Sequence, residues 1–535
     1  MELGIMKRIL IFVMAALVAF SCKKEGTTPI IAPPSHSETT DDDPGTVPDK
    51  DGMNVKGRVT DKSTGKGIAG VVVSDGIQCT QTDAEGIYYF KSDISKVRSV
   101  FVVTPSEYSI EFGNNTIFSG YRPVSSVSKV SECNFVLAPR TGSRDDYKVV
   151  FLGDPQVKSD RAHSAPSWKY VTDGLNEYRK TAGSDLYQIL LGDMVTNEIE
   201  VNGKADSFIS TLVGAHINSF CVAGNHDHIQ SAVKYYDSVS KYFDYFGPYN
   251  FAVNIGKVHY IFFDSVNWHD KTFEQAVTAD ALSFMREDLK YVAQDTPIVI
   301  CTHCPLTRKN GGLYLSTSTM NYMSMMDLLK GRDVSFWYGH IHFNNFWSYN
   351  EAQILSKAPG VNSLESHVVG RCGGCWSCSG EVCRDGSPRG FVELTVKGKD
   401  MQWRYISLDS KYPDDFNVLL PGEFKGEGLV DDSALYCNVY LWDEKWSAPE
   451  LWVNGSKSGD FVRCVKGEYV AVADPWYSHF YPIWKAKKIS GMSDDPPKEY
   501  DNSHLFSIVP PAGVRSAEIR VKDRWGNVYT RAVKW

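Results

Sequence analysis

Five apolar runs in the middle of the chain end alike. Tyr147-Lys148-Val149-Val150-Phe151-Leu152 leads into Gly153-Asp154-Pro155-Gln156, and Leu186-Tyr187-Gln188-Ile189-Leu190-Leu191 leads into Gly192-Asp193-Met194-Val195-Thr196-Asn197. Phe220-Cys221-Val222-Ala223 leads into Gly224-Asn225-His226-Asp227, Pro297-Ile298-Val299-Ile300-Cys301 into Thr302-His303-Cys304-Pro305, and Val334-Ser335-Phe336-Trp337-Tyr338 into Gly339-His340-Ile341-His342. Continuous apolar runs read as strands buried on both faces. Helix candidates near Pro166–Thr181, Asp280–Ala293 and Met320–Leu329 alternate with them, as a layered α/β architecture requires. In such sheets the site forms beyond the carboxyl ends of the strands, so five strands deliver Asp, Gln, Asn and His side chains to one rim. Each motif alone is weak: Gly-Asn is also a common turn dipeptide whose polar side chains bond their own backbone.

The flanks follow a different period. Val55-Lys56-Gly57-Arg58-Val59, Val71-Val72-Val73, Ile87-Tyr88-Tyr89-Phe90 and Val100-Phe101-Val102-Val103 are separated by Gly and Asp turn signals, which predicts a small antiparallel sandwich over 53–140. From 409 to 535 the chain is β again, through Ala434–Trp442, Phe461–Val465 and Ala517–Val521, and closes on a hairpin turning at Gly526-Asn527. Val258–Asp264 is a further core strand, with His259 structural.

At 535 residues the chain exceeds a single core. Hydrophobic residues make up 42% and charged ones 22%, ordinary for a globular protein. A net charge of −8 argues against binding nucleic acid by neutralising phosphates, but it leaves room for a small anion whose charge is met by metal ions. Lys7 and Arg8 precede an apolar run, Ile9–Phe20, too short to span a bilayer and suited to an export signal. It ends in Ala19-Phe20-Ser21-Cys22, which resembles the lipobox of bacterial lipoproteins. On that reading 1–22 is a signal peptide with Cys22 lipidated, the protein sits in the envelope of a Gram-negative-type bacterium (periplasmic face or outer-membrane surface), and the anchor is its only membrane contact. A plain signal with an incidental Cys is the alternative. Residues 23–52, polar and carrying Asp41-Asp42-Asp43, form a disordered tether.

Taken together, the five motifs resemble the calcineurin-like metallophosphoesterase superfamily over residues 145–408. The resemblance implies a layered β-sandwich core flanked by helices, with two additional all-β sandwich domains. Gly57–Asp61, Gly67–Val71 and Thr82–Gly86 are similar to transthyretin-like modules, and 409–535 looks like the C-terminal sandwich of exported three-part members. Position by position, the resemblance implies one metal held by Asp154, Gln156, Asp193 and His342, and another by Asp193, Asn225, His303 and His340. Asp193 would bridge the ions, and His226 would face the substrate. Gln156 stands where the superfamily usually has His; an amide oxygen is a harder donor than imidazole, so the metals (Mn, Fe, Zn or Mg, divalent or trivalent) stay open. The acidic residue that orients the catalytic His in some members is replaced by Thr196 and Asn197, which leaves Asp227 as a substitute orienter.

Cys372, Cys375, Cys378 and Cys383 fall within twelve residues. They fit a structural zinc site, although export favours disulfides, and free thiols are the third alternative. The following Asp385-Gly386-Ser387-Pro388-Arg389-Gly390-Phe391, with Trp376, is similar to a loop near the active site of exported members, which makes Trp376 a candidate substrate wall. His228 is a second candidate substrate contact, with a solvated loop His as its alternative. The pairs Cys79/Cys133 and Cys437/Cys464 each permit one bridge, and spacing does not fix connectivity.

Three functions fit this sequence. The first is hydrolysis of a phosphorylated small molecule or phosphodiester by a hydroxide bridging two metals, with His226 protonating or stabilising the leaving oxygen. The second is a noncatalytic, glycan-binding envelope lipoprotein, and the third a metallohydrolase acting on a non-phosphorus ester.

Overall fold

The apolar runs form two facing sheets. In the first, Asn218–Cys221, Leu186–Leu190 and Asp146–Leu152 run parallel, and Gly390–Lys397 and Asp400–Ser407 extend it antiparallel. In the second, Val258–Phe262, Ile298–Cys301, Asp333–Tyr338 and Ser363–Val368 run parallel between antiparallel edges Phe251–Ile255 and Asn345–Ser348. The computed structural model describes residues 46–535 apart from 126, 143–144, 158–163, 184, 198, 200–208, 210–211, 213, 310–312, 316–318, 374–381, 409, 424–430, 467–469, 472–473 and 487–501. Cys22, most of the tether, Trp376, Cys375 and Cys378 therefore lie outside the described residues.

Strand Asp146–Leu152 shows why its run is unbroken. Val149 and Phe151 enter the core between the sheets, where Phe151 stacks on Trp337 with ring centroids 3.9 Å apart. Val150 and Leu152 point the other way, into a cluster with Val171 and Leu175 of the helix Ser164–Ala182. Both faces are covered, so no polar residue is tolerated along its buried part. Across the interface the Tyr147 and Tyr260 hydroxyls are 3.0 Å apart. The helix Ala279–Asp288 starts at Thr278, whose hydroxyl accepts from Ala281 N–H, and gives way to a 3₁₀ turn Leu289–Tyr291; Tyr322–Leu328 is the third predicted helix. His259 is buried between Asn254 Oδ1 (2.8 Å) and Asp288 Oδ2 (2.7 Å), a structural role.

The N-terminal module is a sandwich of two four-stranded sheets. One is mixed rather than antiparallel, because Val55–Asp61 pairs parallel with Ser131–Glu132 and Phe135–Leu137 after the chain crosses to the other sheet and back. The module is built onto the catalytic sheets: Phe118 stacks on Phe251 at 4.9 Å, Phe118 N–H donates to Ser219 O (3.0 Å), and Ser219 N–H donates to Thr116 O (2.7 Å). The C-terminal module is a sandwich of two four-stranded antiparallel sheets. It docks through Trp525 on Trp403 (4.8 Å) and through Arg524, which reaches Glu365 across the boundary (2.6 Å) and is held within the module by Asp443 (2.9 Å). Cys79, Cys133, Cys437 and Cys464 are free thiols, so neither permitted bridge is formed; even counts per module carry no information on distance. Cys372 is likewise a free buried thiol, and Cys383 Sγ donates to Arg371 O.

Candidate metal centre

The rim where the parallel strands end is the most strained part of the backbone. Thirteen non-glycine residues among those described have positive φ, and six of them belong to the motifs: Asp154 (43°), Gln156 (41°), Asp193 (54°), Asn197 (50°), His340 (75°) and His342 (64°). Such conformations cost about 1–3 kcal/mol each and persist where the surroundings enforce them, often at functional sites. The glycines opening the motifs serve close approach. A Cβ at Gly192 would lie 2.4 Å from His303 Nδ1, and one at Gly339 would lie 2.7 Å from Asp154 Oδ2.

Four predicted donor atoms meet on one side. His303 Nε2 lies 3.1 Å from Asn225 Oδ1, 3.3 Å from Asp193 Oδ1 and 3.3 Å from His340 Nδ1, and His340 Nδ1 lies 3.0 Å from Asn225 Oδ1. His303 Nδ1 donates to Leu191 O (2.7 Å), which leaves Nε2 turned to the cluster. On the other side His342 Nε2 is 3.5 Å from Asp154 Oδ1, and donor atoms of Asp154, Asp193 and His342 all fall within 4.8 Å of one another. Gln156 is fully buried; its Nε2 donates to Asp193 Oδ2 (3.0 Å), while Oε1 has no hydrogen-bond partner. A buried acceptor left unpaired costs about 1–3 kcal/mol. A cation at this point would satisfy it, so the residues present fit a metal pair.

Asp193 is central to the electrostatics. Burial alone would raise its carboxyl, but the His303 and His226 imidazoles outweigh burial and hold it well below the usual carboxylate range. Burial likewise opposes charge on His303, yet Asp193 and then Asp154 lift its imidazole to about 10. The site is thus built to hold positive charge against two carboxylates.

His226 stands beside this cluster, with its backbone N–H donating to Asp193 Oδ1 (2.8 Å) and its Nε2 3.9 Å from Asp193 Oδ2. Its Nδ1 is hydrogen-bonded to Asn197 Oδ1, so Asn197, not Asp227, orients the ring. The 3₁₀ turn Asn225–Asp227 points the Asp227 carboxylate back under the motif, where it accepts from Gly224 N–H (3.0 Å) and Val195 N–H (3.1 Å). His228 neither faces a pocket nor lies in solvent. It is buried, stacked on Trp268 at 5.5 Å, with Nδ1 2.8 Å from Ser238 Oγ and Nε2 3.1 Å from Asp264 Oδ2.

Sequence reasoning passed over two arginines. Arg371 Nε donates to Asp154 O (3.3 Å), and Arg384 Nη2 donates to Ile341 O (2.9 Å), between His340 and His342. The signal was there to find, in two cations flanking the cysteine cluster just after the last parallel strand.

Comparison with known proteins gives three matches in chain order. The N terminal of calcineurin-like phosphoesterase matches residues 53–140, calcineurin-like phosphoesterase matches 147–344, and the C terminal of calcineurin-like phosphoesterase matches 366–529. No curated protein matches the chain. Among solved structures, the yellow lupin (Lupinus luteus) purple acid phosphatase PPD1 is similar at 13% identity and TM-score 0.39, covering 64% of this chain and 73% of its own. A dimetal phosphatase from Danio rerio is similar at 10% identity and TM-score 0.34, covering 50% of this chain and 97% of its own. Likenesses this distant add no argument to the family matches. With all three parts matched in order, the protein belongs to the calcineurin-like phosphoesterases and is a metal-dependent phosphoesterase with a dinuclear centre.

Proposed function

We propose that Asp154, Gln156, Asp193 and His342 hold one ion and Asp193, Asn225, His303 and His340 the other, in a phosphoesterase tethered at the cell envelope. The observation that carries the assignment is the knot of donor atoms around His303 Nε2, none more than 3.3 Å from it, together with the unpaired Oε1 of Gln156. When bound, the ions supply Lewis acidity toward phosphoryl oxygens and lower the pKa of water. The oxygen-rich first set suits Mn, Mg or Fe, and the histidines of the second admit Zn as well.

The chain's own residues do the rest. Leu191 O fixes the His303 tautomer, as a second-shell acceptor does for a ligating imidazole. Asp227 ties the Gly224 turn to Val195, so Asn225 and His226 are presented from one fixed loop. Asn197 holds the His226 ring by Nδ1 and leaves Nε2 on the side of Asp193, where it handles the proton of the leaving oxygen.

The test is a screen of purified, lipid-free protein loaded with Mn, Zn, Fe or Mg against paired phosphomonoester and phosphodiester chromogens. Activity on neither class with any metal would sink the assignment and favour the glycan-binding reading. The envelope part rests on Lys7-Arg8, the apolar run and Cys22. Cys22→Ser should release the protein from the membrane fraction, and an unchanged distribution would remove the anchor.

A further inference from the structure

The His340–Asn344 turn carries two ligands in left-handed conformations, with φ of 75° at His340 and 64° at His342. From inside it is held by Asp154, whose two carboxylate oxygens accept His340 N–H at 2.9 and 3.1 Å. From outside it is gripped by two consecutive residues of the loop after the cysteine cluster. Arg384 donates to Ile341 O (2.9 Å), and Asp385 Oδ2 accepts Asn344 N–H (2.8 Å). The Asn344 side chain completes the clasp, accepting from Gly370 N–H (2.9 Å) and donating to Ser387 Oγ (2.9 Å).

Asp385 does not stand by itself. Its carbonyl accepts from Asn438 Nδ2 (2.6 Å) and Asn502 Nδ2 (2.7 Å), and His504 Nε2 lies 3.3 Å from its Oδ2. Asn438 lies on Leu435–Val439, and His504 immediately precedes Leu505–Ile508, two paired strands of the C-terminal sandwich. Asp385, Asn344, Asn502 and His504 are all buried, in a low-dielectric setting where satisfied polar networks are rigid. A strained turn stays in place only while such contacts outweigh its preference to relax.

We infer that the C-terminal sandwich is a working part of the metal centre, with Asp385 as the positioning residue through which it sets His340 and His342. The inference rests on the ligand assignment proposed above. It makes the sandwich more than an appended module: without it, the turn that supplies one ligand to each ion loses its outer support.

The test compares a buried contact that reaches the turn with one of the same sandwich that does not. Full-length metal-free protein is titrated with Mn²⁺ below its melting transition, reading free Mn²⁺ and the spin-coupled signal of the bound pair by electron paramagnetic resonance. Asp385→Ala should bind Mn²⁺ about 10- to 100-fold more weakly, the loss typical of removing an outer-shell partner, and should lose the coupled signal first. Asp443→Asn breaks the Arg524 contact, which touches no residue of the turn, and should lower Tm while keeping wild-type Mn²⁺ affinity. His504→Gln, a milder change outside the turn, should weaken binding in the same direction and decides the matter if Asp385→Ala does not fold. Wild-type affinity in Asp385→Ala or His504→Gln, or an equal loss in Asp443→Asn, overturns the inference. A wild-type protein that binds no Mn²⁺ pair overturns the ligand assignment itself, and the inference with it.

Discussion

Replacing Gln156 by Met separates a ligand from a structural amide, because the two roles have opposite signs in the metal-free protein. Gln156 Nε2 donates to the Asp193 carboxylate at 3.0 Å, and losing a hydrogen bond to a charged group costs about 1.5–3 kcal/mol. Its Oε1 is buried without a partner, and removing such an acceptor recovers about 1–3 kcal/mol. Met is unbranched and of similar length, so it meets the same backbone at φ 41° without new strain at Cβ. The two terms offset, and metal-free stability should shift by no more than about 1.5 kcal/mol. In the loaded protein nothing offsets the loss of one donor. Affinity at that ion should fall by at least the roughly 10- to 100-fold that loss of an outer-shell partner costs, which is about 1.4–2.7 kcal/mol. Since a ligand that binds only the folded state raises its stability according to its concentration over Kd, the assay is thermal unfolding with chelator and across a Mn²⁺ series. The chelated curves should nearly coincide while the Mn²⁺-induced rise in Tm shrinks. An undiminished rise would show that Oε1 is no ligand, and a chelated variant weaker by several kcal/mol would make the amide structural.

Further expectations follow from the same geometry. Asp193→Asn should reduce bound metal more than Gln156→Met, since Asp193 stands between both donor groups; unchanged metal by elemental analysis would end its bridging role. His226→Ala should keep metal and fold while kcat falls about 10²- to 10⁴-fold, less for substrates with good leaving groups; metal lost in step with activity would make His226 a ligand or support instead. Asp474 is raised to about 7 by burial, then by Asp385 beside it, so the folded protein holds a proton that the unfolded chain releases near 3.8. Stability should therefore fall as pH rises from about 4 to about 7, and Asp474→Asn should flatten the slope of Tm against pH; an equal slope in both proteins would refute the shift.

Much of this was legible in the chain because the information was local. An unbroken run such as Val149–Leu152 reports burial on both faces; that the Gly opening each motif serves close packing, as Gly192 does against His303 and Gly339 against Asp154, emerged from the structure. What failed was inference from nearness in sequence. Asp227 is adjacent to His226, but the intervening 3₁₀ turn sends its carboxylate back to Gly224 N–H, while Asn197, from another strand end, reaches the ring. His228 reads as a loop residue, yet its partners Asp264 and Trp268 come from beyond the strand Val258–Phe262 and bury it. Asp385 lay inside a recognisable motif, but its use depends on Asn438, Asn502 and His504, which no local pattern connects to it.

Neutral amides give the centre its charge. Where the superfamily pattern leads one to expect His, Gln156 supplies a carbonyl, and where some members carry an acid, Asn197 supplies another. Among the seven donors only Asp154 and Asp193 are carboxylates, so the donor set contributes two negative charges. Asp227 lies outside this donor set, its carboxylate turned to the Gly224 and Val195 N–H groups. Two divalent ions would leave the centre about two positive charges in excess, and about one once a hydroxide is bound, in a buried setting where charges act strongly. An excess of either size suits an anionic phosphoryl group. Asn197 works in the same direction, because a neutral partner orients His226 without adding a third negative charge beside the incoming phosphate. Replacing Asn197 by Asp would keep the hydrogen bond and add a negative charge beside the phosphoryl group, so KM should rise more for a dianionic monoester than for a monoanionic diester, and equal rises would refute a charge role for Asn197.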